Sequence, residues 1–286
     1  MIAGVLVALG VVDWFFHPVS GLVWVVFGSA CLVAAAGLFD DVRGLSPLAR
    51  LVGQFLAGAV VVAATGPLTF LPPPFDYFSV SPMWGGAVSL LWIATVTNFF
   101  NFMDGFDGLA TSQAVASCLG VIIAGWSPDA SVLAMLTGAA CVGFLFHNWT
   151  PARVFMGDVG SGFLGFTLAV LPLLAPQGRR TTAMLAAAVG LSLFLLDPAL
   201  TLVRRAFARK PLTQSHREHL YQQFAAPGEP VGAVVTIYFA LAVLLAGAAG
   251  FGYVHPELLQ WSMLGSVLTF LVVCIFALRA ERLRRT

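Results

Sequence analysis

Apolar runs follow one another along the chain, parted by short polar, glycine- or proline-marked breaks. Ten stand out, at about 2–16, 20–39, 50–66, 84–103, 110–126, 129–147, 160–175, 181–203, 231–252 and 257–279. They reach or approach the roughly 20 residues that an α-helix needs to cross hydrocarbon. Ser127-Pro128-Asp129 and His255-Pro256-Glu257 are turn and helix-start signals. Pro72-Pro73-Pro74 with Phe75, Tyr77, Phe78 and Trp84 reads as an interfacial loop with an aromatic belt. The pattern predicts an all-α, polytopic integral membrane bundle of about ten transmembrane helices, one domain over residues 1–286.

Composition strengthens that expectation: 59% of the residues are hydrophobic and 9% are charged, against about 25% charged in soluble domains. No separate soluble domain and no nucleic-acid partner is expected. The first run lacks a basic leader and reads as a membrane helix rather than a removed signal peptide. Cys31, Cys118, Cys141 and Cys274 lie singly inside apolar runs, without metal or disulfide spacing, and read as core residues.

Net charge of +1 says little, but its placement sets an orientation. If the runs alternate across a bilayer, twelve of the fourteen basic residues fall on one side and only Arg179 and Arg180 on the other. Positive residues collect in cytoplasmic loops, so both termini are expected in the cytoplasm.

The polar residues within and between the runs carry the chemistry. Asp40-Asp41 closes the second run; adjacent carboxylates repel, and a negative pair opposes the helix dipole there. They read either as a solvated helix end neutralised by Arg43 or as a site, a divalent-metal ligand or a general base. The fourth run ends in N-F-F-N-F-M-D-G-F-D-G-L-A, residues 98–110. Asn98, Asn101 and, if the helix continues, Asp104 share one face at i, i+3, i+6. With Asp107 they either cap and bridge helices or form a polar site. Asp158 lies in a glycine-flanked loop before a helix expected near Gly160, a position that suits an anion or a cap; among other carboxylates it suits a divalent cation. Asp197 reads equally as a partner of Arg204 or Arg205 and as a site residue. In the basic segment 204–230, His216 and His219 share a helical face and, with Arg217, suit contacts to phosphate or sugar hydroxyls better than a zinc site. The acids and cationic donors gather on the expected cytoplasmic side, the equipment of a Mg²⁺-dependent reaction of phosphates at a membrane surface.

Four blocks in order, L-F-D-D with L-S-P-L-A-R-L-V-G-Q, N-F-F-N-F-M-D-G-F-D-G-L-A, P-A-R-V-F-M-G-D-V-G-S and H-R-E-H-L-Y-Q, span about residues 37–224. By these the sequence resembles the polyprenyl-phosphate N-acetylhexosamine-1-phosphate transferases (glycosyltransferase family 4), the superfamily of the phospho-MurNAc-pentapeptide translocase and the bacterial GlcNAc-1-phosphate transferase. The resemblance implies transfer of a sugar-1-phosphate from a UDP-N-acetylhexosamine to undecaprenyl phosphate, releasing UMP, with Mg²⁺ or Mn²⁺. It implies a bacterial inner-membrane enzyme that initiates O-antigen or similar polysaccharide, with a homodimer plausible. It assigns Asp158, with Asp104, to the metal; Asp40 and Asp41 to metal or lipid-phosphate activation; Asp104 and Asp107 to catalysis and, with Asn98 and Asn101, the nucleotide site. It assigns Phe155 to stacking on uracil, and Arg50, His216, Arg217 and His219 to phosphate and sugar. Two departures stand out. The family's first span and its Pro-Thr-Pro loop have no counterpart before Met1, and the family's lysine after the aspartate pair is Arg50, which cannot share a proton as lysine can. A secondary transporter with intramembrane acids and an inactive, truncated paralogue are the rival readings.

Overall fold

The computed structural model describes residues 1–16, 18–70, 79–211, 217–224 and 231–285. His17, most of the proline-aromatic loop (71–78) and His216 lie outside the described residues.

The apolar runs fold as helices: α1 (Ile2–Phe15), α2 (Gly21–Arg43), α3 (Pro47–Thr65), α4 (Pro82–Phe102), α5 (Leu109–Ala124), α6 (Pro128–Asn148), α7 (Gly157–Val170), α8 (Arg180–Gly190), α9 (Ser192–Phe207), α10 (Leu220–Phe224), α11 (Val231–Val254) and α12 (Leu259–Arg285). Among the described residues there is no β-strand, only one isolated bridge between Phe70 and Ser79. Among the described residues seven helices are long and apolar enough to cross a membrane: α2, α3, α4, α6, α7 with the 3₁₀ turn after it, α11 and α12. The chain is a multi-pass membrane protein. α1 and α5 are apolar but shorter.

The run expected as one span over 181–203 is instead two helices, α8 and α9, bent by 75° at Leu191. A break inside the bilayer exposes backbone carbonyls that lipid cannot satisfy. Gln113 of α5, itself buried, donates its side-chain amide to the Gly190 carbonyl at 2.9 Å, so a neighbouring helix makes the bend tolerable.

Helix starts follow local sequence. Ser46 and Ser127 each accept an N–H of the first turn, at 3.2 and 3.0 Å, with a proline in the next position. That pairing satisfies a free N–H and pre-sets φ. α7 is the hub, buried from Gly160 to Val170 between α2 and α4. Small residues let backbones approach there: Gly165 lies against Thr97 and Phe100, and Gly37 of α2 against the Asp158 carbonyl. Phe27 and Phe163 meet edge to face at 6.0 Å, and the rings of Phe100 and Phe194 meet tilted at 5.2 Å.

Arg179 and Arg180, the two basic residues on the other side, hold structure together. Arg179 stacks over the Tyr253 ring at 4.2 Å and donates to that residue's carbonyl. Arg180 donates to the carbonyls of Thr65, Gly66 and Ala175 at 2.6, 2.8 and 3.1 Å, closing the end of α3.

Candidate active site at the basic end

Asp158 is the second residue of α7, which begins at Gly157 rather than near Gly160. Negative charge is favoured at that helix position. Its two oxygens are held separately. Oδ1 accepts from Asn101 Nδ2 at 2.9 Å, and Oδ2 from Arg50 Nη1 at 3.0 Å. The same Arg50 nitrogen donates to Asp40 Oδ2 at 2.7 Å. Asp40 Oδ1 accepts the Leu45 N–H, and Asn101 also donates to Ser161 at 2.8 Å. One guanidinium thus bridges two carboxylates from helices α2 and α7.

Asp40 and Asp41 turn to different partners. Successive residues on a helix project about 100° apart, and here they diverge. Asp40 turns to Arg50, whereas Asp41 accepts the N–H groups of Asp158 and Val159 at 3.1 and 3.2 Å. Asp41 therefore caps α7 from a different helix. Gly157 makes room for it: its φ is +65°, and a Cβ there would lie 2.8 Å from Asp41 Oδ2. Arg43 is over the Phe39 ring, 5.4 Å from its centroid, and forms no ion pair with either aspartate among the described residues.

The expected stripe Asn98–Asn101–Asp104 breaks after its second member, because α4 ends at Phe102. Asp104 lies in the following turn, where burial, with repulsion from Asp158, Asp41 and Asp107, pushes its carboxyl up to about 7. More negative charge converges here than Arg50 neutralises. Asn98 lies one turn deeper and pairs with Gln54 of α3, its Nδ2 donating to Oε1 at 2.6 Å. Arg50, Gln54, Asn98, Asn101 and Asp158 line a small cavity of about 30 Å³.

A second cluster ties the loops together. Asp107 Oδ2 accepts the Ala152 N–H at 2.9 Å. Asn148 accepts from the Gly108 N–H at 3.2 Å and the Thr111 hydroxyl at 2.6 Å, and donates to the Val154 carbonyl at 3.0 Å. These bonds fix the segment 150–156 onto the turn 104–108. Phe155 projects from it, 75% exposed, an aromatic face open to a planar ring.

Asp197 pairs with neither Arg204 nor Arg205. It is buried, and its carboxylate accepts the N–H groups of Leu220 and Tyr221 at 3.0 and 3.2 Å and the Thr201 hydroxyl at 3.2 Å. His219 Nδ1 lies 3.3 Å from it. Backbone donors suited it better than the arginines because a buried carboxylate needs several bonds converging at once. Arg205 instead pairs with Glu218 at 3.1 Å. Arg217 is exposed, whereas His219 is buried and stacked on Tyr221.

Asp40, Asp41, Asp104, Asp107 and Asp158 all lie at helix ends or in the connecting turns on one side, unlike the mid-membrane acids of a transporter. Their order, L-F-D-D, then N-x-x-N-x-x-D-x-x-D, then G-D-V-G-S, coincides with a sequence family: the glycosyl transferase family 4 pattern matches residues 23–175, more than half of the chain.

The chain belongs to glycosyl transferase family 4.

Curated relatives in the family include the probable undecaprenyl-phosphate N-acetylglucosaminyl 1-phosphate transferase of Bacillus subtilis, 29% identical over 70% of this chain and 57% of its own length. The decaprenyl-phosphate N-acetylglucosaminephosphotransferase of Mycobacterium tuberculosis is 29% identical over 86% of this chain and 69% of its length. The phospho-N-acetylmuramoyl-pentapeptide-transferase of Chlamydia muridarum is 40% identical over 53% of this chain and 52% of its length. The chain thus spans just over half the length of the first and third of these relatives. All five of those acids lie inside the family match, whereas Asp197 and the histidine segment lie beyond it. Gln54 and Asn148 were not singled out by sequence reading; each is an amide buried among apolar neighbours, which is the signal that would have found them.

Proposed function

We propose that this chain transfers an N-acetylhexosamine-1-phosphate from a UDP-sugar to undecaprenyl phosphate, giving the lipid diphosphate-sugar and UMP. This would open the synthesis of a cell-surface polysaccharide, O-antigen or a similar glycan, at the inner membrane of a bacterium with the basic end facing the cytoplasm. The observation that carries the reading is Asp158: a carboxylate at a helix start, gripped by Arg50 and Asn101 and ringed by Asp40, Asp41 and Asp104. Family membership and the names of the relatives point the same way.

The donor set is compatible with Mg²⁺ or Mn²⁺. It offers hard carboxylate oxygens in excess of its cations. Among the described residues no group of three His, Cys, Asp or Glu forms a metal cage, but Mg²⁺ takes only one or two carboxylates and fills its shell with phosphates and water. Asp158, with Asp104 beside it, would hold the ion, and Arg50 would give up its bond to Asp158. The ion would neutralise charge on the diphosphate as UMP leaves.

The chain's own residues supply placement. An oxygen of the lipid phosphate forms a bond to the β-phosphorus of the donor, and the bond from that phosphorus to the bridging oxygen breaks. Arg50 lies where that charge gathers and, released from Asp158, contacts phosphate. Asp40 or Asp41 takes the proton of an acceptor that arrives protonated; with a second pKa of about 6 the phosphate needs no strong base. Asp107, Asn98 and Asn101 shape the nucleotide side, with Phe155 against the uracil. Arg217, with His216 and His219, serves the sugar and its phosphate.

The test is UMP release by detergent-purified protein with Mg²⁺ and undecaprenyl phosphate across UDP-N-acetylhexosamines, UDP-GlcNAc first. Lipid-dependent release that Asp158→Ala abolishes is expected. A folded protein that releases no UMP from any donor would overturn the reading and favour the inactive paralogue.

A further inference from the structure

Asp197 lies outside the five-carboxylate cluster at the site, yet it is 1% exposed and carries four polar partners from two segments of chain. A buried carboxylate is costly unless its oxygens are filled. Here they are filled by the segment that follows α9: the N–H groups of Leu220 and Tyr221 and the His219 imidazole, with Thr201 one turn along α9 completing the set. The next link runs back to the site. Tyr221 is fully buried, its hydroxyl donates to the Phe102 carbonyl at 3.3 Å, and its ring meets Phe106 edge to face at 4.9 Å. Gly105 allows this docking, because a Cβ there would collide with the Tyr221 hydroxyl. The chain of contacts therefore runs from Asp197 through residues 219–221 to the turn 102–106 that carries Asp104.

We infer that Asp197 is a positioning residue: it anchors the segment 217–224 and, through Tyr221, sets Arg217 and His219 in register with the Asp104 turn, so that the donor's sugar-phosphate side meets the carboxylates. This rests on the transfer reaction proposed above. The carboxylate does not touch the reacting atoms; its effect passes through the backbone it holds. A carboxylate at Nδ1 also fixes the ring and tautomer of a histidine.

The experiment compares wild type, Asp197→Asn and Tyr221→Phe in the full-length, detergent-purified protein. Two readouts are taken: hydrogen exchange over the peptide 217–224, and KM and kcat for UDP-GlcNAc. Asn keeps the shape but sets an amide NH₂ against backbone donors. Faster exchange confined to 217–224 is expected, with KM raised about 10-fold and kcat within about threefold, the split expected of lost ground-state placement and the size seen when an orienting partner is removed. Tyr221→Phe should raise KM less, and the double variant should cost less than the sum of the two, as for residues acting as one unit. Unchanged exchange in Asp197→Asn overturns the anchoring. Faster exchange with wild-type KM and kcat overturns the positioning role and leaves a structural one. Absence of UMP release from wild type overturns the reaction, and the positioning role with it, while the exchange arm still decides the anchoring.

Discussion

The carboxylate of Asp41 accepts the backbone N–H of Asp158 at 3.1 Å. The second acid of the aspartate pair thus closes the start of the helix that carries the site's central carboxylate. Removing such a cap costs about 1 kcal/mol of stability. Asp41→Ala should lower the thermal unfolding midpoint and reduce UMP release together, whereas Asp41→Asn, which keeps one acceptor oxygen, should retain part of both. An Asp41→Ala protein that melts like wild type would show that the cap contributes nothing.

Arg50 occupies the oxygens that a divalent cation would need, donating to Asp40 at 2.7 Å and Asp158 at 3.0 Å. A divalent cation held at these carboxylates, as proposed above, would compete with it. Arg50→Gln should melt at lower temperature than wild type without divalent ions, because the two acids then repel. Adding Mg²⁺ should raise its melting temperature more than that of wild type, since ligand binding to the folded state stabilises in proportion to its affinity. Turnover should still fall if Arg50 contacts the phosphate as proposed. Equal Mg²⁺ shifts in the two proteins would separate Arg50 from the cation site.

The sequence made the class of fold legible because lipid leaves a spanning chain few options: apolar runs of helical length have to become helices. It also marked Asp40, Asp41, Asn101, Asp104 and Asp158, since polar groups at the ends of such runs need a partner or a use. Partners were harder to read. Residues Asp40 and Asp41 are neighbours in sequence, yet their side chains serve different helices, a difference set by how α2 lies on α7 and not by spacing. The break at Leu191 was invisible for the same reason: the amide that satisfies Gly190 comes from Gln113, 77 residues earlier. Asp197 read equally as half of an ion pair and as a site residue, because arginines follow it two turns on. Its true partners are backbone N–H groups, and no sequence pattern marks those.

Gly37 lets α2 lie directly against the start of α7. A Cβ on it would press into the carbonyl of Asp158 and lie 2.8 Å from the Val159 nitrogen. These atoms are backbone and cannot swing aside. Gly37→Ala should cost about 1–3 kcal/mol, as overpacking does, partly offset by the better helix propensity of alanine. The larger effect should fall on function, because separating the helices pulls Asp40 and Asp41 from Arg50 and the start of α7. Turnover should drop at least 10-fold at temperatures where the variant is fully folded, for the cap and the ion pair move together. Wild-type UMP release from a folded Gly37→Ala protein would mean that the spacing of α2 and α7 is not critical.

Asp104 gives the site a pH dependence whose sign can be worked out. Its carboxyl rises from an ordinary 3.8 to about 7 in the folded protein, through burial first and then repulsion from Asp158, Asp41 and Asp107. Between those two values the folded state keeps a proton that the unfolded state has released. Stability must then fall as pH rises through that window and level off above it. Asp104→Asn removes the titration. The variant should melt at higher temperature than wild type at pH 8 without divalent ions, at nearly the same temperature at pH 4, and with a flatter profile between. Saturating Mg²⁺ should flatten the wild-type profile toward that of the variant, because a cation beside the carboxylates favours their charged forms. Thermal unfolding of both proteins from pH 4 to pH 8, with and without Mg²⁺, checks all of this. A variant whose melting temperature keeps the wild-type slope would place the titrating group elsewhere.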